Sequence, residues 1–265
     1  TDGPVWIVFD VSGDIELTAP LALRSRTTID GRGHAIQIVG GGIRVLGVSD
    51  IVIHNLSITG TEQTSGPAIL ISQGSRHVWI DHVSFGICQG PHIKVTQRST
   101  DISISLCKFS DQDQVMILGG APNHYENSVM RATIYSNYFQ GNGSAQPLVR
   151  HGLAHVFNNV YTGWRQYAIG SSSDAAVFSR RNIFVPVQSI LALVLDPLGE
   201  DVLGRADSAD ERLDGGAVAE ESGIGDAFNS DAYPHNTADA NEDLRNRVIA
   251  TAGWMQTELP TQGDQ

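Results

Sequence analysis

"AHVFNNVYTG", residues 154–163, sets the pattern on which the whole chain is built. His155, Phe157 and Asn159 alternate with Val156, Asn158 and Val160, as a strand would. Val156 is a β-branched anchor, and the aromatic Tyr161 follows five positions later. The same shape recurs in "IVIHNLSITG" from 51, "VWIDHVSFG" from 78, "ISISLCKFSD" from 102 and "ATIYSNYFQG" from 132. The anchors are Ile53, Ile80, Ile104, Ile134 and Val156; their partners are Ile58, Phe85, Phe109, Phe139 and Tyr161. Both sets step by 27, 24, 30 and 22 residues, and a sixth copy, "AVFSRRNIFV" from 176, follows with Phe184.

Each copy reads as a short strand, a turn of polar or small residues and a second short strand. Such a unit cannot bury its own inner face, but stacked units bury a continuous core. The spacing therefore predicts an all-β fold, a single-stranded parallel β-helix with one copy per coil. An antiparallel β-sandwich also has many short strands, but sandwiches do not repeat at a fixed offset. Cys107, Asn137 and Asn159 each stand three positions after an anchor. Stacked at one corner, such side chains would satisfy each other's amides along the helix axis.

"VWIVFDVSGDIELTAPLALRSRTTIDGRG", from residue 5, supplies earlier strands, with Gly-rich turns at 12–14 and 31–33. "QSILALVLDPL", from 188, continues the wall. Residues 199–243 read as an acidic loop region. Leu244, Val248 and Ala252 have helical spacing and predict a terminal helix over 241–254. The 265 residues form one domain, with no second unit visible.

The formal charge is −12, but thirteen acidic residues against Arg205 and Arg212 between 199 and 243 account for nearly all of it. The body is almost neutral, which argues against nucleic acid as a partner. No window approaches 18 uninterrupted apolar residues, so no helical membrane span is expected. Cys88 and Cys107 are too few for a disulfide framework, and two buried thiols are the simpler expectation over one bridge.

Lys94 and Lys108 are the only lysines. In "PHIKVTQ", Ile93 and Val95 point one way, so His92, Lys94 and Thr96 are expected to point outward. An outward lysine is most often plain surface. Its interest comes from coil spacing, which places 92–96, 112–116 and 148–152 on successive coils near one lateral position. At about 4.8 Å per coil, Lys94, Gln114 and Arg150 would line one groove. Two cations there suggest an anionic or carbonyl-rich ligand, and an elongated groove suggests a polymer. "VWIDH" places Trp79 and Asp81 opposite Ile80, where Asp81 beside His82 would serve as a base, a metal ligand or, most commonly, a structural partner. Asp111 and Asp113 form a carboxylate pair at a coil corner.

Taken in order, "VWIDH", "STDISISLCKFSDQDQVMILGG", "QPLVRHGLAHVFNNVY" and "YAIGSSSDAAVFSRRNIF" resemble the pectate lyase/pectin lyase family of polysaccharide lyases, from about Val5 to Pro186. The resemblance implies a right-handed parallel β-helix and eliminative cleavage of homogalacturonan, with a pectic polysaccharide as partner. It also implies a secreted, monomeric enzyme whose signal peptide has been removed. The reaction removes the proton at C5 of a galacturonate unit and expels the oxygen at C4. It needs a cation at the adjacent carboxyl group and a base at the proton. In the family the base is the first arginine of R-x-P-x-x-R.

Here that pattern reads Ala145-Gln146-Pro147-Leu148-Val149-Arg150. The second arginine matches at Arg150, and Ala145 stands where the base is expected. The loss implies an inactive variant, either altered to trap substrate or naturally impaired; the intact surroundings favour the former. The family's calcium ligands are also missing. "GPAILIS" from 66 has no acid, and the next-coil positions fall at Gly90 and Lys94. No metal or other cofactor is therefore expected, with Lys94 standing in for the ion's charge, as in calcium-independent pectin lyases acting on methyl-esterified chains. Gln114 replaces a lysine that grips a carboxylate. His92, Gln114, His151, Trp164 and Tyr167 complete the expected substrate-binding set, the last two as a sugar-stacking edge or, equally, as core packing. A non-catalytic oligogalacturonide-binding β-helix is the alternative, and a hydrolase using Asp81, Asp111 or Asp113 is a weaker one.

Overall fold

The computed structural model describes residues 3–60, 66–200, 202–223 and 233–255. Among them, strands are grouped into three nine-stranded sheets in which every successive coil adds one strand to each sheet. The first sheet runs from Val5–Ile7 to Arg205–Ala209, the second from Gly13–Glu16 to Arg212–Leu213, and the third from Leu21–Ala22 to Val218–Ala219. All neighbours within the sheets are parallel. The fold is a right-handed parallel β-helix with one short C-terminal helix.

The sequence repeat is the register of this stack. Ile53, Ile80, Ile104, Ile134 and Val156 are direct partners across the first sheet. Ile58, Phe85, Phe109, Phe139, Tyr161 and Phe184 are direct partners across the second. Their rings form a column inside the barrel, with centroids 4.6–4.9 Å apart from Phe85 to Phe184 and planes within 11° of parallel. One residue type must recur at one register because each ring packs chiefly on its copies above and below.

The turn from the first sheet into the second is made at a single left-handed residue on seven successive coils. Asn55, His82, Leu106, Ser136, Asn158, Arg181 and Asp210 all have φ between 50° and 56°. One αL residue redirects the strand sharply without lengthening the coil. Just past this corner runs the expected amide ladder. The Cys107 backbone N–H donates to Asn137 Oδ1, and Asn137 Nδ2 donates to Asn159 Oδ1 at 3.0 Å. Asn159 Nδ2 donates in turn to Asn182 Oδ1 at 2.9 Å, one coil further than the sequence reading extended it. Glu211 ends the ladder by accepting from the Asn182 backbone and side chain.

Helix α1 (Glu242–Thr251) is capped by Asn241, whose side chain accepts from the Leu244 backbone N–H. Leu244 and Val248 pack on Tyr138, Val160 and Ile183, covering the outer face of the second sheet. Cys88 and Cys107 are both buried, and no disulfide joins them. The region read as acidic loop requires correction. Arg205–Ala209, Arg212–Leu213 and Val218–Ala219 are strands that build a ninth coil. These strands are short and mix Arg205, Asp207, Ser208 and Arg212 with Ala206, Leu213 and Val218, so hydrophobic periodicity fades while backbone pairing continues. Residues 224–232 of that region lie outside those described.

Candidate functional site

Lys94, Gln114 and Arg150 line one cleft of about 500 Å³ on the third sheet. Three strands build its floor. Ile93 and Val95 pair inward with Ile69 and Ile71, which turns Lys94 outward. In register, Lys94 lies beside Ile117, and Ile117 beside Leu148. Lys94 and Leu148 are thus about 10 Å apart across the sheet. Arg150 stands one outward step beyond Leu148 along its strand, and Gln114 lies to the other side, where it bridges to Ser144. The Lys94 ammonium is half-buried and has no ion-pair or hydrogen-bond partner among the described residues.

Arg150 is differently placed. Its guanidinium is almost wholly buried: Nε donates to Glu200 Oε1 at 2.7 Å, Nη2 to the same oxygen at 2.5 Å, and Nη1 to the Gly120 carbonyl at 2.8 Å. Glu200 Oε2 also accepts from Ser172 and Ser173, each at 2.5 Å. Burial alone would raise the Glu200 pKa; hydrogen bonds from Arg150, Ser172 and Ser173 overcome it and pull the group down to about 2. Gly119 permits the close approach: a Cβ there would lie 1.9 Å from the Arg150 carbonyl oxygen. Sequence reasoning missed Glu200, because it is fifty residues from Arg150 and lies in a stretch rich in acids.

Ala145 is fully buried, with φ of 57°, packed against Ile117 and Leu148. It therefore borders the cleft floor but presents no proton-accepting group to it. His124, from the loop after Gly120, forms part of the opposite wall. His151 does not line this cleft. Its Nε2–H points to the Ala121 carbonyl at 3.3 Å, and the ring belongs to an adjoining cavity of about 530 Å³ that it shares with Ser173 and Glu200.

Three expected orientations are corrected. His92 faces inward: its ring stacks between Phe85 and Phe109, its Nε2–H donates to the Gly86 carbonyl at 2.8 Å, and burial pushes its pKa down to about 4. Strand alternation does not extend to it, because it sits at the coil corner just before the strand Ile93–Val95 begins. Trp164 is buried edge-on against Phe184 in the core, and Tyr167 is buried with its hydroxyl raised to about 12, chiefly by desolvation. Neither offers a stacking face to a sugar.

The acids do not converge on the cleft. Asp113 is exposed and paired with Arg165, and Asp111 is exposed at the coil edge. Asp81 is on the first sheet, a different wall. There it is buried, with His54 and His82 Nδ1 at 2.9 and 2.5 Å from Oδ2 and the Ser105 hydroxyl donating to Oδ1. Burial would raise its pKa, but those three partners hold it well below the carboxylate range. No carboxylate lines the Lys94 cleft among the described residues. A hard divalent cation is held by several oxygen ligands, usually including carboxylates. An ammonium, an amide and an apolar floor do not fit calcium.

The family model described as "Pectate lyase" matches residues 13–235. A putative pectate lyase of Arabidopsis thaliana is 39% identical over 225 residues, 77% of this chain and 56% of that protein. A pectate lyase of Lilium longiflorum is 35% identical over 204 residues, 69% of this chain and 47% of that protein. The chain thus spans about half the length of these relatives. Among solved structures, jun a 1, the major allergen from cedar pollen, superposes with a TM-score of 0.79 at 26% identity over 96% of this chain and 81% of that one. The pectate lyase from Bacillus sp. N165, solved with trigalacturonate, gives 0.81 at 22% identity over 95% and 86%, a likeness of fold.

Proposed function

The chain belongs to the pectate lyase family, and from that premise we propose that the Lys94 cleft binds a galacturonan chain of pectin type, outside the cell and as a monomer. The observation that carries this reading is an ammonium without a counter-ion among the described residues, standing beside an apolar floor of Ile117 and Leu148. A carboxyl group of the sugar chain meets the ammonium, and methyl-esterified neighbours lie on the apolar floor. A fully ionised chain would find a single unpaired cation, since Gln114 is neutral and Glu200 already neutralises Arg150.

The reaction class is β-elimination. The C5–H bond gives its proton to a base, its electron pair forms the C4–C5 double bond, and the C4–O bond breaks with the oxygen leaving. Lys94 would offset the charge that builds at the carboxyl group, which makes the step calcium-independent. The base is absent: Ala145 occupies that position, so the chain as it stands binds without turnover. Restoring Ala145→Arg tests this. The variant should release a product absorbing in the ultraviolet from methylated pectin, undiminished by a chelator, while the parent releases none. No such product from any pectin, with or without calcium, would count against a lyase.

A non-catalytic galacturonan-binding role has its own support. Ala145 is sealed into an apolar contact, and Arg150 is held by Glu200 rather than offered to a ligand. That reading predicts hexagalacturonate binding by both the parent and Ala145→Arg, with cleavage by neither.

A further inference from the structure

A second trough lies on the first sheet, away from the Lys94 cleft. Trp6, Thr28, Val52 and Trp79 are direct register partners on four successive strands, all on the outer face. Trp6 is 52% exposed and Trp79 42%. Three strand steps separate the two indoles, about 14 Å. Between them the shorter Thr28 and Val52 form the floor, so the tryptophans bound a cleft of about 690 Å³.

Trp79 is held in place. Its Nε1–H donates to Ser105 Oγ at 2.9 Å, and the Ser105 hydroxyl donates to Asp81. Asp81 is fixed from its other oxygen by His54 and His82. The cluster His54–Asp81–His82 is also the one group of three potential metal ligands among the described residues. His82 Nδ1 bonds one carboxylate oxygen, His54 Nδ1 lies 2.9 Å from that same oxygen, and Ser105 takes the other. The network therefore orients an exposed indole through its N–H. Fixing an aromatic face in advance removes the ordering cost that a ligand would otherwise meet.

The rim of the trough is polar. His77 Nδ1 lies 3.0 Å from Asp50 and its Nε2 3.9 Å from Asp101, with Arg26 alongside. Two carboxylates against one guanidinium do not attract a polyanion. Flat apolar faces spaced along a trough, with hydrogen-bonding groups at the edge, match a neutral polymer of pyranose rings, whose C–H faces stack and whose hydroxyls reach the rim.

We propose that the Trp6–Trp79 trough is a second carbohydrate-binding site, specific for a neutral β-linked glycan. On a chain whose other wall binds a galacturonan, it would tether the protein to a composite polysaccharide matrix through two independent contacts.

Titration with cellohexaose, read by quenching of tryptophan emission and by retardation in an affinity gel containing a neutral β-glucan, tests the site. The parent should bind, and Trp6→Ala should weaken binding at least tenfold. The Trp6 side chain makes no hydrogen bond among the described residues, so this variant removes a stacking face and leaves the Asp81 network intact. Trp79→Ala should do the same. Hexagalacturonate binding should be unchanged in Trp6→Ala and weakened tenfold or more in Lys94→Ala, which separates the two sites. No binding of cellohexaose by a parent that binds hexagalacturonate would overturn the inference and leave the Lys94 reading standing. Full cellohexaose affinity in Trp6→Ala would also overturn it. So would a concentration-dependent dimer that Trp6→Ala abolishes, because this face would then bind a second copy of the chain.

Discussion

Arg150 and Glu200 form a buried ion pair in which one carboxylate oxygen receives two guanidinium N–H groups, at 2.7 and 2.5 Å. The cleft on the third sheet thereby keeps a guanidinium that is structurally fixed and electrostatically spent. Removing the carboxylate should free the charge and loosen the coil at once. Glu200→Gln should bind hexagalacturonate several-fold more tightly than the parent in equilibrium titration. It should also unfold more easily in urea by about 3 kcal/mol at neutral pH, since a buried cation loses its counter-ion. A variant no tighter for the ligand would show that Arg150 does not face it.

The same pair sets an acid limit. In the folded chain the Glu200 carboxyl titrates at about 2, below its ordinary 4.5. Its contribution is therefore complete above about pH 4.5 and disappears as pH falls towards 2. Urea midpoints measured from pH 6 to pH 2.5 should fall in the parent. Glu200→Gln should lack that part of the fall.

Glu211 behaves with the opposite sign. Burial raises its carboxyl from 4.5 to about 7, against the lowering effect of hydrogen bonds from Ser179 and Asn182. Stability from the protonated form is complete below pH 4.5 and is lost as pH rises through 7. Glu211→Gln should therefore gain on the parent between pH 5 and pH 8 in thermal melts. A difference that is flat across this range would place the group's titration elsewhere.

Lys94→Ala should leave folding within about 0.5 kcal/mol of the parent, because the ammonium has no partner among the described residues to lose. Its binding of hexagalacturonate should drop tenfold or more. Adding a chelator should change neither protein's affinity. Calcium-dependent binding by the parent would contradict an ammonium acting in place of a metal.

The amide ladder gives a test of the fold itself. Asn159 is fully buried, accepts from the Asn137 backbone and side chain, and donates to Asn182 and to the Ile134 carbonyl. Asn159→Ala takes the side-chain acceptor from the Asn137 donors and the side-chain donor from the Ile134 carbonyl, while Asn182 Oδ1 keeps the bond from the residue-159 backbone N–H. Each unmet buried group costs about 1–3 kcal/mol, so the loss should reach about 3 kcal/mol in urea unfolding. A loss below 1 kcal/mol would show that water replaces the amide.

By itself, the sequence determined the coil. Ile53, Phe85, Asn159 and their copies recur because each packs on or bonds to its own counterpart one strand away, and a demand repeated on every coil leaves a repeat in the chain. It also placed Lys94 outward, because two inward neighbours inside a strand leave no other choice. Alternation lapses at corners, so it misjudged His92, and a resemblance alone did not reveal that Trp164 and Tyr167 are buried. Tertiary structure decided the rest: Glu200 against Arg150, the seal over Ala145, and Trp6 in line with Trp79. Those are single contacts between segments far apart in the chain, and a contact made only once leaves no period to read.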